Sequence, residues 1–272
     1  MTGALTYLYV PGNMPERFDK AVASGADAVV LDLEDAVSVP DKARARQTVA
    51  EWVAQCDPGR VEVWVRVNPG SVDDIRAVAH ENLTGLWLPK VGSAAEVEVV
   101  DALLSEICPH AALSAMIETA GGVLDALAIA RAPRMKFLQI GEVDLAADLG
   151  VDVGDGSSLL FARSQVVLAG VAAGIAPPLA AVSRNFRDLD EFEADTRRLA
   201  GLGFVGRACI HPAQVAGTRA VFTPTDAEVE SALATLARLD EAGSGVAVDE
   251  NGFLIDEAVA RQARRVVARS SR

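Results

Sequence analysis

Eight short apolar segments recur along the chain, and each is followed directly by polar or charged residues. Helix-forming stretches rich in Ala, Val, Glu and Arg separate them, and this alternation of strand and helix is typical of a parallel sheet. The segments are Tyr7–Val10, Ala28–Leu33, Val61–Val67, Leu86–Leu88, Leu113–Ile117, Phe137–Ile140, Leu179–Val182 and Cys209–Ile210. Eight such units predict an α/β fold, a closed (β/α)8 or TIM barrel, in which reacting groups collect at the carboxyl ends of the strands.

The pattern changes after Phe222, where a C-terminal segment begins. Its predicted elements are a helix over Asp226–Ala242 with Thr225 as N-cap, a hairpin of Val246–Val248 and Phe253–Ile255 that turns at Asn251-Gly252, and a helix over Asp256–Arg269. A segment of this size is too small to hold a core alone. We therefore expect a catalytic barrel over residues 1–222 and, over residues 223–272, a small helical and hairpin lid that packs on the barrel or on a neighbouring subunit.

The composition limits the classes of function. The chain has 272 residues and 50% of them are apolar, which is enough for one barrel core and a small appendage. With 38 acidic against 25 basic residues the net charge is −13, which argues against a binder of nucleic acid or anionic membranes. No apolar stretch approaches the roughly 20 residues of a membrane helix, and the first residues lack the pattern of a signal peptide, so we expect a cytoplasmic protein.

Two carboxylates close consecutive strand and helix units. Glu118 follows the fifth apolar segment and Asp144 follows the sixth. Neighbouring strand ends of a barrel lie close together, and Mg²⁺ typically takes one or two protein carboxylates while water and substrate oxygens fill its other positions. The pair therefore predicts a magnesium site. The alternative is local, with Glu118 as a helix-start residue and Asp144 as an N-cap.

Arg66 is a charged residue inside an otherwise apolar strand. A guanidinium is rarely buried without a partner, and its planar fork suits a carboxylate bidentately. The partner is either a substrate carboxylate or an acidic side chain from the cluster Asp32, Glu34 and Asp35 at the end of the second strand, and the two roles are compatible. The same cluster is also suited to hold metal-bound water.

Several common catalytic signatures are missing from the sequence. Gly121-Gly122 stands where a helix should begin, but the dinucleotide fingerprint G-x-G-x-x-G is absent, so a nicotinamide cofactor is not expected. The hydrolase motif G-x-S-x-G, the zinc motif HExxH and the phosphate-binding Walker loop are absent too. His211, at the last strand end, is either a base or a residue hydrogen-bonded within a turn.

Eight short motifs, in order, resemble those of the citrate lyase beta-subunit-like family. That family belongs to the HpcH/HpaI aldolase group, with the malyl-CoA and citramalyl-CoA lyases. The motifs are Leu8–Asn13, Leu31–Val37, Val65–Asn68, Leu88–Lys90, Ile117–Thr119, Gly141–Gly150, Gly203–Arg207 with Ile210–Pro212, and Leu254–Asp256. The resemblance runs from about residue 5 to about residue 265.

The resemblance implies a Mg²⁺-dependent oxo-acid lyase. Such an enzyme cleaves a 3-hydroxyacyl-CoA thioester, such as malyl-CoA or citramalyl-CoA, into a 2-oxo acid and acetyl-CoA. In the reverse direction it forms the thioester from these two compounds. By match to the motifs, Glu118 and Asp144 would be the metal ligands, and Asp32, Glu34 and Asp35 would surround the metal. The substrate contacts would be Arg66, Glu118, Gly141 and Pro89. Asp256 would be the acid or base, and a neighbouring subunit would lend it. The family also implies a homotrimer or homohexamer.

Three other functions remain open from the sequence. The first is the lyase subunit of a citrate lyase complex, acting on a citryl thioester attached to an acyl carrier. The second is a malyl-CoA thioesterase with the same metal and a water molecule. The third, a non-catalytic scaffold, is less expected because the metal-ligating residues are intact.

Overall fold

The structure is a computed structural model that describes residues 3–153 and 156–270. The chain divides into two units, one over Ala4–Arg219 and one that contains the chain from Ala220 onward. None of the helices within the described ranges combines the length and the apolar character needed to cross a membrane.

The first unit contains a seven-stranded parallel sheet. Its strands are β1 Thr6–Pro11, β2 Ala28–Asp32, β3 Glu62–Arg66, β4 Gly85–Leu88, β5 Ala112–Ile117, β6 Met135–Ile140 and β7 Arg207–Cys209. They are hydrogen-bonded in the order β6-β5-β4-β3-β2-β1-β7, so each consecutive pair from β1 to β6 is adjacent. All five residues of β2 are buried, as expected for a strand covered on both faces.

Helices connect the strands, as parallel pairing requires. They are α1 Phe18–Val22, α2 Lys42–Gln55, α3 Val72–Val78, α4 Ala94–Ile107, α5 Ala120–Leu124, α6 Ala126–Ala130, α7 Glu142–Leu149, α8 Leu160–Ala173, α9 Leu189–Gly201 and α10 Ala213–Phe222. Two 3-10 turns, Pro15–Arg17 and Val39–Asp41, precede α1 and α2. The predicted α/β class with parallel strands is confirmed.

The predicted strand over Leu179–Val182 is not a regular strand. Leu179 forms a single parallel bridge with Gln139 of β6, and Ala180 forms one with Arg207 of β7. Pro177 and Pro178 directly precede this segment and carry no backbone N–H group, so they cannot extend a ladder. The prediction of eight regular strands is therefore corrected to seven strands, with two bridging residues between the outer strands.

Aromatic side chains pack together on one face of the sheet. Tyr7, Trp64, Trp87 and Phe137 are almost fully buried, and their ring centroids lie 5.2 to 6.4 Å apart, mostly in edge-to-face arrangements. Tyr9, two residues further along β1, packs on Trp87 at 5.8 Å. Because side chains alternate along a strand, Tyr9 lies on the same face one layer closer to the carboxyl end of the sheet.

The strand register aligns the predicted site residues. Asp32, the last residue of β2, is paired with Arg66, the last residue of β3. Ile117 is paired with Ile140, so Glu118 and Gly141 leave β5 and β6 at the same level. The polar residues that follow the apolar segments therefore share one edge of the sheet.

The second unit contains the predicted helix, hairpin and final helix. Its elements are α11 Asp226–Ala242, β8 Ala247–Val248, β9 Leu254–Ile255 and α12 Glu257–Ser270. Thr225 caps α11, because its side chain accepts the N–H of Glu228 while the Glu228 carboxylate accepts the N–H of Thr225. The hairpin is antiparallel, and Ile255 packs with Leu239 and Ala260. That this unit acts as a lid stays a prediction.

Candidate active site

A cavity of about 440 Å³ lies at the carboxyl edge of the sheet. The predicted site residues that line it are Asp32, Asp35, Arg66, Glu118, Gly141 and Asp144. These residues lie in one cavity because they stand at or near the ends of neighbouring strands. In the sequence they are up to 112 positions apart, the separation of Asp32 and Asp144. The structure therefore brings these six residues to one cavity, while their roles as site residues stay predictions.

Arg66 is locked into an ion pair with Asp32. Its Nε lies 2.7 Å from Oδ1 and its Nη2 lies 2.5 Å from Oδ2, and both residues are buried. Nη1 lies 2.8 Å from Oε2 of Glu34, close enough for an ion pair although not aligned for a hydrogen bond. Burial alone would lower the pKa of Arg66, but the hydrogen bonds and charge of Asp32 outweigh it, so the pKa is raised and the side chain stays charged.

The guanidinium of Arg66 has donors left for a substrate. It carries five N–H groups; two bind Asp32, and Nη1 faces Oε2 of Glu34 and also donates to Sδ of Met116 at 3.9 Å. One N–H of Nη2 has no described partner, and the contact of Nη1 with the weakly accepting thioether of Met116 is one that a substrate carboxylate can replace, so an end-on carboxylate contact with both Nη atoms is possible. The predicted ion pair is thus present, and it leaves the predicted substrate contact chemically possible.

Lys90 is a site residue to which sequence reasoning assigned no role. Its Nζ forms an ion pair with Oε1 of Glu34 and lies 3.7 Å from Oδ2 of Asp35. Its backbone N–H donates to Oε1 of Glu118 at 2.7 Å. Lys90 has φ of +54°, a left-handed conformation that is costly for a residue with a side chain. This strained residue therefore links Glu34 with Glu118.

Glu118 carries an unpaired buried oxygen. The residue is 1% exposed, and its Oε2 has no hydrogen-bond partner among the described residues. Burial raises the pKa of Glu118 to about 7; the charges of Glu34 and Asp144 add to this, while the Lys90 N–H opposes it. A buried carboxylate in this state is costly unless a cation compensates it.

The local alternatives for Glu118 and Asp144 are not seen. Thr119, rather than Glu118, caps α5 by accepting the N–H of Gly122 at 3.0 Å. Gly141 is the N-cap residue of α7, and Asp144 lies in the first turn without a capping hydrogen bond. Neither carboxylate is therefore used by the start of its helix as an N-cap.

The donor set fits a magnesium ion. Within the described ranges, no group of three or more His, Cys, Asp and Glu side chains is arranged to enclose a metal, which argues against an all-protein cage. Mg²⁺ usually binds one or two protein carboxylates, and water or substrate oxygens fill its other coordination positions. The two carboxylates of this cavity, one of which has an unpaired buried oxygen, match this coordination. Glu118 and Asp144 are the residues that would hold it.

Gly141 provides space for Glu118. A Cβ atom at Gly141 would lie 2.4 Å from Oε2 and 2.7 Å from Cβ of Glu118, far inside contact distance. Its φ of −105° is accessible to any residue, so space rather than backbone conformation requires glycine. The predicted substrate contact of Gly141 stays untested, and the structure assigns it a role in seating Glu118.

The substitution Gly141→Ala is expected to displace Glu118 and to lower Mg²⁺-dependent turnover by about 10- to 100-fold, because disturbing the groups that seat a metal ligand typically costs this much. Steady-state kinetics at several Mg²⁺ concentrations measure the loss. Gly121→Ala is the matched control, since a Cβ there meets nothing closer than 4.0 Å. Equal activity of both variants would contradict the space argument.

Tyr9 and Gln139 are two polar residues of the cavity that the sequence analysis missed. The Tyr9 hydroxyl donates to Oε1 of Gln139 at 2.9 Å, and both residues line the cavity. The Tyr9 ring lies 5.2 Å from the guanidinium carbon of Arg66, which favours a cation–π contact. A polar Gln inside an apolar strand was the one available sequence signal.

Three further predicted residues are not among those that line the cavity. Pro89 is buried but is not one of the residues that line the cavity. Asp256 belongs to the second unit, where its Oδ1 accepts the N–H groups of Ala258 and Val259 at the start of α12. His211 accepts the N–H of Ala213 through Nδ1 and stacks on Phe186 at 5.3 Å. The turn alternative for His211 is therefore the one observed.

Comparison with known proteins identifies the family. Residues 5–212 match the family model described as HpcH/HpaI aldolase/citrate lyase. The chain is 35% identical to the citrate lyase subunit beta of Leuconostoc mesenteroides subsp. cremoris, over 96% of this chain and 91% of that protein. It is also 35% identical to an L-malyl-CoA/beta-methylmalyl-CoA lyase of Cereibacter sphaeroides, over 96% of this chain and 92% of that enzyme.

A solved structure extends the likeness to the whole fold. It is the CitE protein of Mycobacterium tuberculosis in complex with magnesium, acetoacetate and coenzyme A. The TM-score is 0.85 at 31% identity, and the match covers 100% of this chain and 99% of the other. The family resemblance of the eight motifs is confirmed, and the chain is a member of the HpcH/HpaI aldolase/citrate lyase family.

Proposed function

We propose that the chain is a Mg²⁺-dependent carbon–carbon lyase for a 3-hydroxyacyl-CoA thioester such as malyl-CoA or citramalyl-CoA. The products are a 2-oxo acid and acetyl-CoA, and the reverse reaction forms the same bond. The observation that carries the proposal is the unpaired buried oxygen of Glu118 in the cavity that also holds Asp144 and Arg66. The magnesium, acetoacetate and coenzyme A bound by the M. tuberculosis relative support it.

Each residue of the cavity has a task in this reaction. Glu118 and Asp144 hold Mg²⁺, which supplies Lewis-acid polarisation and positive charge when bound. The unused N–H of Arg66 Nη2, together with the Nη1 donor that otherwise contacts Met116, binds the carboxylate of the 2-oxo acid portion and fixes its orientation. Asp32 keeps the guanidinium plane in place, and the Tyr9 ring supports it from one side.

Proton transfer requires a further group. Cleavage removes the proton of the substrate hydroxyl, and an acid must deliver a proton to the departing acetyl carbon. We propose Asp256 of a neighbouring copy for this task, as the family resemblance implies. Its described hydrogen bonds engage only Oδ1, which leaves Oδ2 available for proton transfer. Phe253 and Leu254 beside it are 70% and 61% exposed, as expected of a segment that is covered in an assembly.

We also propose the barrel, lid and oligomer that the sequence predicts. Single bridges from Leu179 to β6 and from Ala180 to β7 support a closed barrel of the (β/α)8 type over about residues 1–222, in which this irregular segment takes the place of the eighth strand. Residues 223–272 then serve as a lid in a homotrimer or homohexamer. A cytoplasmic location completes this proposal.

A citryl thioester is the second candidate substrate. The 35% identity to a citrate lyase subunit beta favours it as strongly as the equal identity to a malyl-CoA lyase favours the first. A carrier-bound citryl group requires a partner protein, whereas a CoA thioester does not. Copurification with an acyl carrier protein therefore supports the second candidate.

A panel of malyl-, citramalyl- and citryl-CoA with and without Mg²⁺ tests the proposal. Mass spectrometry of the products should detect acetyl-CoA and one 2-oxo acid in equal amounts, only with Mg²⁺. Free CoA together with the intact hydroxy acid would instead identify a thioesterase. Absence of turnover for all three thioesters, with or without an acyl carrier, would contradict a lyase.

Metal binding should depend on pH through Glu118. Its pKa of about 7 means that the metal-free carboxyl is protonated below neutrality, and a protonated carboxyl does not ligate a cation. The apparent Mg²⁺ affinity should therefore rise about tenfold per pH unit up to about pH 7 and level off above it. Calorimetric titrations from pH 5.5 to 8.5 measure this.

The control for the pH dependence is Glu118→Gln, which cannot titrate at this position. Any residual Mg²⁺ binding in this variant should lack the step near pH 7. An affinity for the wild type that stays constant between pH 5.5 and 8.5 would contradict the assigned ligand.

A further inference from the structure

Arg17 is the cation of the cavity that the mechanism does not use. Arg17 and Arg66 are the two basic residues among the described residues that line the cavity, and Arg66 is engaged with Asp32 and Glu34. The ion pair described for Arg17 is a 3.9 Å contact with its neighbour Glu16, and both side chains are more than half exposed. Such an exposed pair contributes little, so the guanidinium is available to a ligand.

Arg17 is held close to the site by a short backbone path. It ends the 3-10 turn Pro15–Arg17, where its N–H donates to the Met14 carbonyl at 3.0 Å. The N–H of Gly12 in the same loop donates to the carbonyl of Asp32 at 2.8 Å, and a Cβ at Gly12 would lie 2.8 Å from that oxygen. The loop is therefore tied to the residue that also positions Arg66.

The charges around the cavity are mostly negative. Its acidic lining residues are Asp32, Asp35, Glu118, Glu142 and Asp144. Arg66 neutralises Asp32, and Arg163 neutralises Glu142 through a bidentate pair with both distances at 2.7 Å. Glu118 and Asp144 are assigned to the metal. A substrate with a second anionic group needs a further positive charge to be admitted.

We propose that Arg17 is a specificity-determining residue that binds a second anionic group of the substrate at the exposed margin of the cavity. This inference rests on the proposed function. The group is an oxyanion with the chemistry of a phosphate or a carboxylate, since both fit the planar fork of arginine. Its source is either a phosphate of coenzyme A or a second carboxylate on the 2-oxo acid.

Binding measurements distinguish the two sources without any turnover. The affinities of wild type and Arg17→Gln are compared by calorimetry, in the presence of Mg²⁺, for coenzyme A against pantetheine and for oxaloacetate against pyruvate. Loss of at least about tenfold for coenzyme A, with pantetheine unchanged, supports a phosphate. The same loss for oxaloacetate, with pyruvate unchanged, supports a second carboxylate.

Two further variants serve as controls. Arg17→Lys should recover part of the lost affinity, because it keeps the charge but not the fork. Arg44→Gln removes an exposed arginine of α2 that does not line the cavity, and it should bind all four ligands as the wild type does. Equal affinities of wild type and Arg17→Gln for all four ligands, or an equal loss for all four, would overturn the role of Arg17. Turnover of the thioester panel tests the proposed lyase separately.

Discussion

Glu118→Gln or Asp144→Asn should each lower Mg²⁺-dependent kcat/KM by about 10³-fold or more, because either change removes a ligand of the catalytic cation. Both substitutions keep the shape of the side chain and remove only its negative charge. The decisive comparison is turnover of the best thioester of the panel at a Mg²⁺ concentration that just saturates the wild type. Loss of activity that a higher Mg²⁺ concentration partly restores would locate the defect in metal binding.

Stability measurements separate this outcome from a folding defect. Because the pKa of Glu118 is raised from 4.5 to about 7, the metal-free fold loses stability progressively as the pH rises through this range, and the loss is complete above about pH 7, where the buried carboxyl is ionised. Glu118→Gln removes that charge, so the free energy of unfolding at pH 8 without Mg²⁺ should stay the same or rise by about 1 to 3 kcal/mol. An inactive variant that also unfolds at a much lower temperature would not support the metal assignment, and a fully active one would contradict it.

Asp256→Asn should lower kcat by about 100-fold while changing KM little, because a general acid or base acts on the reaction rather than on binding. Glu250→Gln is a matched control, since Glu250 is an exposed acid of the hairpin that precedes Asp256, and its described ion pair is with Arg238 at 3.4 Å. It should retain full activity.

Mixed oligomers test whether Asp256 serves a neighbouring copy. Glu118→Gln and Asp256→Asn are coexpressed with different tags, and oligomers that carry both tags are purified. If each site combines Glu118 of one copy with Asp256 of the next, doubly tagged oligomers should recover about a quarter to a third of wild-type activity, because one site in three is intact in a mixed trimer and about one in four in a larger random mixture. No recovery in verified mixed oligomers would mean that Asp256 does not complete the site of another copy.

The strand ends were the most predictable part of the molecule. Apolar runs that stop at polar residues mark both the buried length of a strand and its exposed carboxyl end, which is why Glu118 and Arg66 could be assigned to one site from sequence alone. Helix α11 was equally predictable, because its capping box is local in sequence.

Features that depend on distant pairs were not predictable. The Tyr9 to Gln139 hydrogen bond joins residues 130 positions apart, and no local pattern specifies it. The role of Lys90 depends on a left-handed backbone conformation, which a lysine in a sequence gives no reason to expect. The space that Gly141 leaves for Glu118 likewise follows only from the packed strands.

The predicted eighth strand shows that an apolar pattern alone does not determine whether a segment forms a regular strand. Leu179–Val182 has the composition of a strand, yet only Leu179 and Ala180 form bridges, one to each outer strand. Composition predicts that a segment is buried, whereas a longer ladder also needs N–H donors on either side, and the two prolines immediately upstream prevent the bridges of Leu179 and Ala180 from extending in that direction.

The most direct test of the central claim is a crystal structure with Mn²⁺ in place of Mg²⁺ and a bound 2-oxo acid, because manganese is located by its anomalous scattering. We expect a single strong peak in the cavity, with a carboxylate oxygen of Glu118 and one of Asp144 each about 2.1 to 2.3 Å from it. A peak that contacts neither carboxylate, or no peak in this cavity at saturating Mn²⁺, would contradict the account.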